Sequence, residues 1–144
     1  MKKIVYLLDD NKTNRKQLYN YLLSIFGESI DIIQFNSFNE SISHNQIPDL
    51  IIANQTLNAQ KAMNIFKAMF NDVEFIFFTN QDSLSNAIEL IENGAFDYII
   101  NKSNTANEIE YNSLEILKRS IIQLFSNTIK YFAPTHTQKT FSFQ

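Results

Sequence analysis

Five short segments of this chain run as nearly continuous apolar stretches rather than as alternating ones: Ile4–Leu8, Ile30–Phe35, Leu50–Ala53, Val73–Thr79 and Phe96–Ile100. A strand that faces water on one side alternates polar and apolar residues. One that reads apolar on both sides belongs to a sheet covered on both faces, which is the situation of a parallel sheet. Between these segments the apolar residues fall at helical spacing. Leu18, Leu22, Leu23 and Phe26 form a first group, and Phe38 and Ile42 a short second one. Ala62, Met63, Phe66, Met69 and Phe70 follow, then Leu84, Ala87, Ile88 and Ile91, and finally Ile109, Leu117, Ile121 and Leu124. Asn11 or Thr13 is placed to cap the first helix and Gly27 to stop it; Gly94 stops the fourth, and the fifth is expected from near Asn104.

Five βα units with right-handed crossovers give a doubly wound open α/β sheet. At 144 residues the chain has the size of one domain. The pattern occupies residues 1–125. Residues 126–144, rich in Thr, Ser and Gln and interrupted by Pro134, are expected to be a C-terminal tail, or an arm in which Phe141 and Phe143 alternate with polar residues. Ligands of such sheets lie beyond the carboxyl ends of the strands. The residues to watch are therefore Asp9, Asp10, Asn54, Thr79 and Asn101.

Composition removes several chemistries. The absence of cysteine excludes disulfides, zinc ribbons, iron–sulfur sites and a thiol nucleophile. The two histidines, His44 and His136, are far apart, which disfavours a histidine metal site. A net charge of −3 and no basic cluster beyond doublets such as Lys118-Arg119 leave no electrostatic footprint for nucleic acid. No apolar run approaches membrane length, and the run after Met1 is too short for a signal peptide, so a cytoplasmic protein is expected.

Two adjacent carboxylates at the end of a buried strand repel each other unless a cation sits between them, and Mg²⁺ takes oxygen ligands of this kind. Taken alone, Asp9-Asp10 is equally well read as a helix cap beside a solvated acid. The surrounding words add to it. Lys3 through Asn11 resembles the opening of a bacterial response-regulator receiver domain, Pro48 through Asn54 its third strand, and Phe75 through Thr79 its fourth. Ala87 through Ile100, with Asn93-Gly94-Ala95-Phe96-Asp97-Tyr98, resembles its fourth helix and fifth strand. The motifs stand in order at matching intervals over residues 2 to about 125.

The resemblance implies a flavodoxin-like receiver fold with strand order 2-1-3-4-5. It implies Mg²⁺ ligation by Asp9, Asp10 and the backbone carbonyl of Thr56, a phosphoryl-binding hydroxyl at Thr79, and an aromatic switch at Tyr98. It further implies a contact face on the fourth helix, fifth strand and fifth helix, where Glu89, Glu92, Asp97, Lys102, Glu108, Lys118 and Arg119 lie. The partners it implies are proteins: a histidine kinase, an effector, or a second copy in a homodimer.

Two of the chain's 18 asparagines fall where that chemistry needs charged groups. The acceptor aspartate of the family falls on Asn54, and an amide cannot form an acyl phosphate. The clamping lysine falls on Asn101, with Lys102 one residue on, directed to the other side of a regular strand. With three carboxylates reduced to two, Mg²⁺ affinity should be weakened. The loop after Asn54, Gln55-Thr-Leu-Asn-Ala-Gln-Lys61, also lacks the family's proline and glycine. The expectation is a non-enzymatic, atypical receiver acting by protein contact. The alternatives are a conventional phosphorelay receiver in variant or mutated form, and a Mg²⁺-dependent phosphohydrolase. The latter needs a second acid two positions after the first, where Asn11 stands after Asp9. A flavin carrier would need a glycine-rich phosphate loop in place of Asn11-Lys12-Thr13-Asn14.

Overall fold

The computed structural model describes residues 2–54, 59–80, 83–103 and 108–126. β1 (Lys3–Leu8), β2 (Ile30–Phe35), β3 (Leu50–Ala53), β4 (Glu74–Thr79) and β5 (Asp97–Ile100) form one parallel sheet in the order β2-β1-β3-β4-β5. Each apolar run of the sequence became a strand, with its ends within a residue of expectation. Val5 lies opposite Ile32 on one side and Leu50 on the other, Ile52 opposite Ile76, and Phe77 opposite Tyr98. That register aligns the carboxyl ends of β1 and β3, so Asp9 and Asn54 leave the sheet side by side.

The helices are α1 (Lys12–Phe26), α2 (Phe38–Ile42), α3 (Ala59–Met69), α4 (Leu84–Glu92) and α5 (Tyr111–Ser126). Alternate strand residues feed two cores. On one face Val5, Leu7, Leu50, Ile52, Ile76 and Ile99 pack against Leu18, Leu22 and Phe26 of α1 and Leu117, Ile121 and Phe125 of α5. On the other, Tyr6, Leu8, Ile51, Phe75 and Phe77 pack against Met63 and Phe66 of α3 and Leu90 of α4. Both faces of the sheet are therefore dry, as the apolar runs require.

Local signals explain the helix ends. Asn11 Oδ1 accepts from the Asn14 N–H at 3.0 Å and caps α1. Gly27 ends that helix at φ 51°, and Gly94, just past α4, has φ 113°, a region that only glycine enters freely. Ser83 caps α4 through the Asn86 N–H.

One expectation is corrected, and one stripe proves to face outward. α5 begins at Tyr111, not near Asn104: Glu108–Glu110 are not helical, and their backbone is bonded to Asn101 instead. In α4, the stripe Leu84, Ile88 and Ile91 faces outward, with Leu84 75% exposed, and Leu90 alone is buried. Of the expected tail or arm, residues 126–144, Ser126 closes α5, and 127–144 lie outside the described residues.

Candidate functional site

Asp9, Asp10 and Asn54 meet at the carboxyl ends of β1 and β3, lining a cavity of about 260 Å³. Asp9 is buried and Asp10 exposed. Asp9 Oδ1 accepts the Asn11 N–H at 2.8 Å and lies 3.4 Å from the Asn54 amide nitrogen. Burial, reinforced by the Asp10 charge, raises the Asp9 pKa; the bonds from Asn11 and Asn54 and the Arg15 charge oppose that shift without overcoming it. The guanidinium of Arg15 does not pair with the carboxylate. It donates to the backbone carbonyl of Asp9, to Asn36 Oδ1 at 2.6 Å and to Gln34 Oε1 at 3.3 Å, tying α1 to the ends of β1 and β2.

The donor set fits Mg²⁺ poorly. Two adjacent carboxylates remain, the third position is an amide whose nitrogen faces Asp9, and no cluster of three acidic, histidine or cysteine ligands occurs among the described residues. Thr56, expected to lend a carbonyl, lies outside the described residues.

Thr79 is buried at the end of β4, where its carbonyl accepts the Asn101 N–H at 2.7 Å. Tyr98 is half-buried on β5 and lines a second cavity, of about 280 Å³, with Ala87, Ile88 and Ile91 of α4. Asn101 is buried, and its side chain makes three hydrogen bonds. Nδ2 donates to the Glu108 carbonyl at 2.8 Å, while Oδ1 accepts from the Glu110 N–H at 2.9 Å and the Ser103 N–H at 3.3 Å. The amide thus holds the connection between β5 and α5. Lys102 beside it is exposed.

Of the charged residues expected on the contact face, Glu89, Glu92, Lys102, Glu108 and Arg119 are exposed. Asp97 and Lys118 are committed within the chain. The Asp97 carboxylate accepts from the Tyr98 N–H and from Ser120 Oγ, each at 2.8 Å, and Lys118 pairs with Glu115 at 2.9 Å.

Sequence reasoning missed Asn36, Ser37 and Phe38, which also line the cavity beneath Asp9. The signal was available, because they directly follow β2 and its end opens onto the same rim as the other strands.

No family model matches the sequence, and no curated protein resembles it significantly. Solved structures match throughout. The signal receiver domain of a putative Luxo repressor protein from Vibrio parahaemolyticus superposes with a TM-score of 0.71 at 19% identity, covering 88% of this chain and 92% of that one. A CheY-like response regulator receiver domain protein from Methanospirillum hungatei gives 0.69 at 15% identity, over 89% and 98% of the two chains. The response regulator DrrB of Thermotoga maritima, an OmpR/PhoB homologue, gives 0.71 at 15% identity, and the match spans 54% of its length. With strand order 2-1-3-4-5 and helices on both faces, the fold is the flavodoxin-like fold of receiver domains. Among the described residues no helix is long and apolar enough to cross a membrane.

Proposed function

We propose that this chain is an atypical receiver domain of two-component signal transduction, one that takes no phosphoryl group and signals by protein contact. The observation that carries this reading is the state of Asn101. Where a phosphate-clamping cation is expected, a buried amide is bonded three ways to its own loop. Together with Asn54 at the acceptor position, it leaves neither a nucleophile nor a positive charge to receive phosphoryl oxygens. A conventional relay would require both to be otherwise. Phosphohydrolase chemistry lacks its second acid, and Mg²⁺ has lost a carboxylate.

The contact face in this reading joins α4 and β5. Leu84, Ile88 and Ile91 present an apolar stripe beside the Tyr98 cavity, flanked by Glu89, Glu92, Lys102 and Arg119. An exposed apolar stripe rimmed by charges of both signs suits a two-fold contact with a second copy. A histidine kinase or an effector would use the same chemistry.

Incubation with acetyl phosphate and Mg²⁺, read by intact mass, should leave the protein unmodified; a labile phosphoryl adduct overturns the reading. Sedimentation should show a concentration-dependent dimer that Ile88→Glu abolishes. A monomer at all concentrations assigns the face to another protein.

A further inference from the structure

We propose that the free edge of the sheet, along β2, takes up an extended segment of a partner protein as a sixth strand. The segment has apolar side chains at alternate positions and a lysine or arginine at its end. β2 lies outermost in the sheet, so only one side of its backbone is paired. The Phe35 carbonyl accepts the Asp9 N–H and so faces β1. In a parallel ladder the N–H and C=O of one residue face the same neighbour, and successive residues alternate. Ile33 and Phe35 therefore address β1, while Ile32 and Gln34 address the outside. Beyond them the Asn36 N–H is closed off by Glu40 Oε1 at 2.7 Å, which sets where the open rungs end.

Edge strands are ordinarily guarded by proline, by a bulge or by unpaired lysines. β2, Ile-Asp-Ile-Ile-Gln-Phe, has none of these. Its register with β1 runs unbroken over six residues, and its one charge, Asp31, is paired with Lys2 at 3.2 Å. Beside the rungs lies a groove of about 580 Å³, walled by Tyr19 and Leu23 of α1 and by Ile32 and Ile33. Leu23 is 43% exposed, and Ile47, 61% exposed, follows Gln46 of the rim. Open rungs call for an extended backbone, and apolar walls call for side chains at every second position. Charge selects the end. Lys2 and Asp31 offset each other, which leaves Glu28, at the head of β2, exposed and without an ion pair among the described residues. A cationic side chain at the end of the added strand answers it. β2 itself has no cation to offer from a second copy.

The probe is the peptide Lys-Val-Thr-Val-Thr-Val-Lys, acetylated and amidated at its ends, titrated into the full chain and followed by amide resonances and hydrogen exchange. Saturable shifts are expected along β2. At saturation the Ile32 and Gln34 N–H groups should exchange about tenfold more slowly or better, while that of Ile33, already bonded to β1, should not change. The same peptide ended in glutamates should bind about fivefold weaker, and Glu28→Lys, at an exposed position, should reverse that order. N-methylation of alternate peptide residues, on the valines or on the threonines, should abolish binding for the set that faces β2. Absence of saturation, protection that misses Ile32 and Gln34, or a charge preference untouched by Glu28→Lys overturns the proposal. So does binding that tolerates both methylation patterns. Shifts of Ile32 and Gln34 that follow protein concentration without peptide assign the edge to a second copy and overturn it as well. A phosphoryl adduct with acetyl phosphate would instead overturn the signalling reading, whatever the peptide does.

Discussion

Deleting the Asn101 amide removes three hydrogen bonds at once and strands the Glu108 carbonyl and the Glu110 N–H in a partly buried turn. Asn101→Ala should cost roughly 2–4 kcal/mol in urea unfolding. Asn101→Lys should cost at least as much, because an ammonium has no acceptor to replace Oδ1. The double change Asn54→Asp/Asn101→Lys should therefore fail to give robust labelling by a phosphodonor. Asp9 makes a prediction of opposite sign. Its proton is held more tightly in the folded state, so it contributes stability at low pH that is lost as pH rises through its folded pKa. Asp9→Asn should raise Tm at pH 7 by about 2–5 °C, and the gain should shrink as pH falls through the folded pKa of the wild-type carboxyl. The charges facing Asp9 are Asp10, which strengthens this trend, and Arg15, which weakens it. The sequence made the identity of these positions legible. It did not reveal what Asn101 bonds to, because an asparagine at a strand end caps, coordinates or staples with equal ease.

At the scale of elements, α1 and α5 are joined across their half-buried flanks by a latch. Tyr21 Oη donates to Glu115 Oε2 at 2.6 Å, and Lys118 pairs with the same carboxylate. Burial works to raise the Glu115 pKa, but the Tyr21 hydroxyl and Lys118 outweigh it and hold the acid below its ordinary value, while burial and that carboxylate push Tyr21 up. A depressed acid contributes stability above its unfolded pKa that is lost as pH falls through the folded one. Tyr21→Phe should cost about 1 kcal/mol at pH 7 and less on the acid side of pH 4, measured by thermal melts across that range. The central strands were readable because burial on both faces leaves their interiors almost wholly apolar, while the edge strand β2 keeps Asp31 and Gln34 exposed. α4 was readable as a helix but its outward aspect was not, because an apolar stripe has the same period whether it meets a core or solvent. Periodicity fixes that residues share a face, and only packing decides where the face points.

Over the whole molecule, one sheet separates two cores that share no helix. Every strand contributes to at least one of them, so neither face can melt without exposing the back of the other. Urea unfolding should be a single transition by tryptophan-free probes such as tyrosine fluorescence and far-ultraviolet dichroism. Phe66→Ala in one core and Leu117→Ala in the other should each lower the unfolding free energy by about 3–4 kcal/mol without splitting the transition. Two separated transitions would show that the faces fold independently.

The Asn101 staple also has a historical consequence. Once a loop depends on an amide for its shape, replacing that amide passes through a protein whose loop is unanchored and which, on the proposed reading, gains nothing while Asn54 stands at the acceptor position. Each step back is disadvantageous before the last one helps. A single bonded side chain thus works as a ratchet: on the proposed reading, it opposes the return of a charged clamp at position 101 along any path that moves one residue at a time.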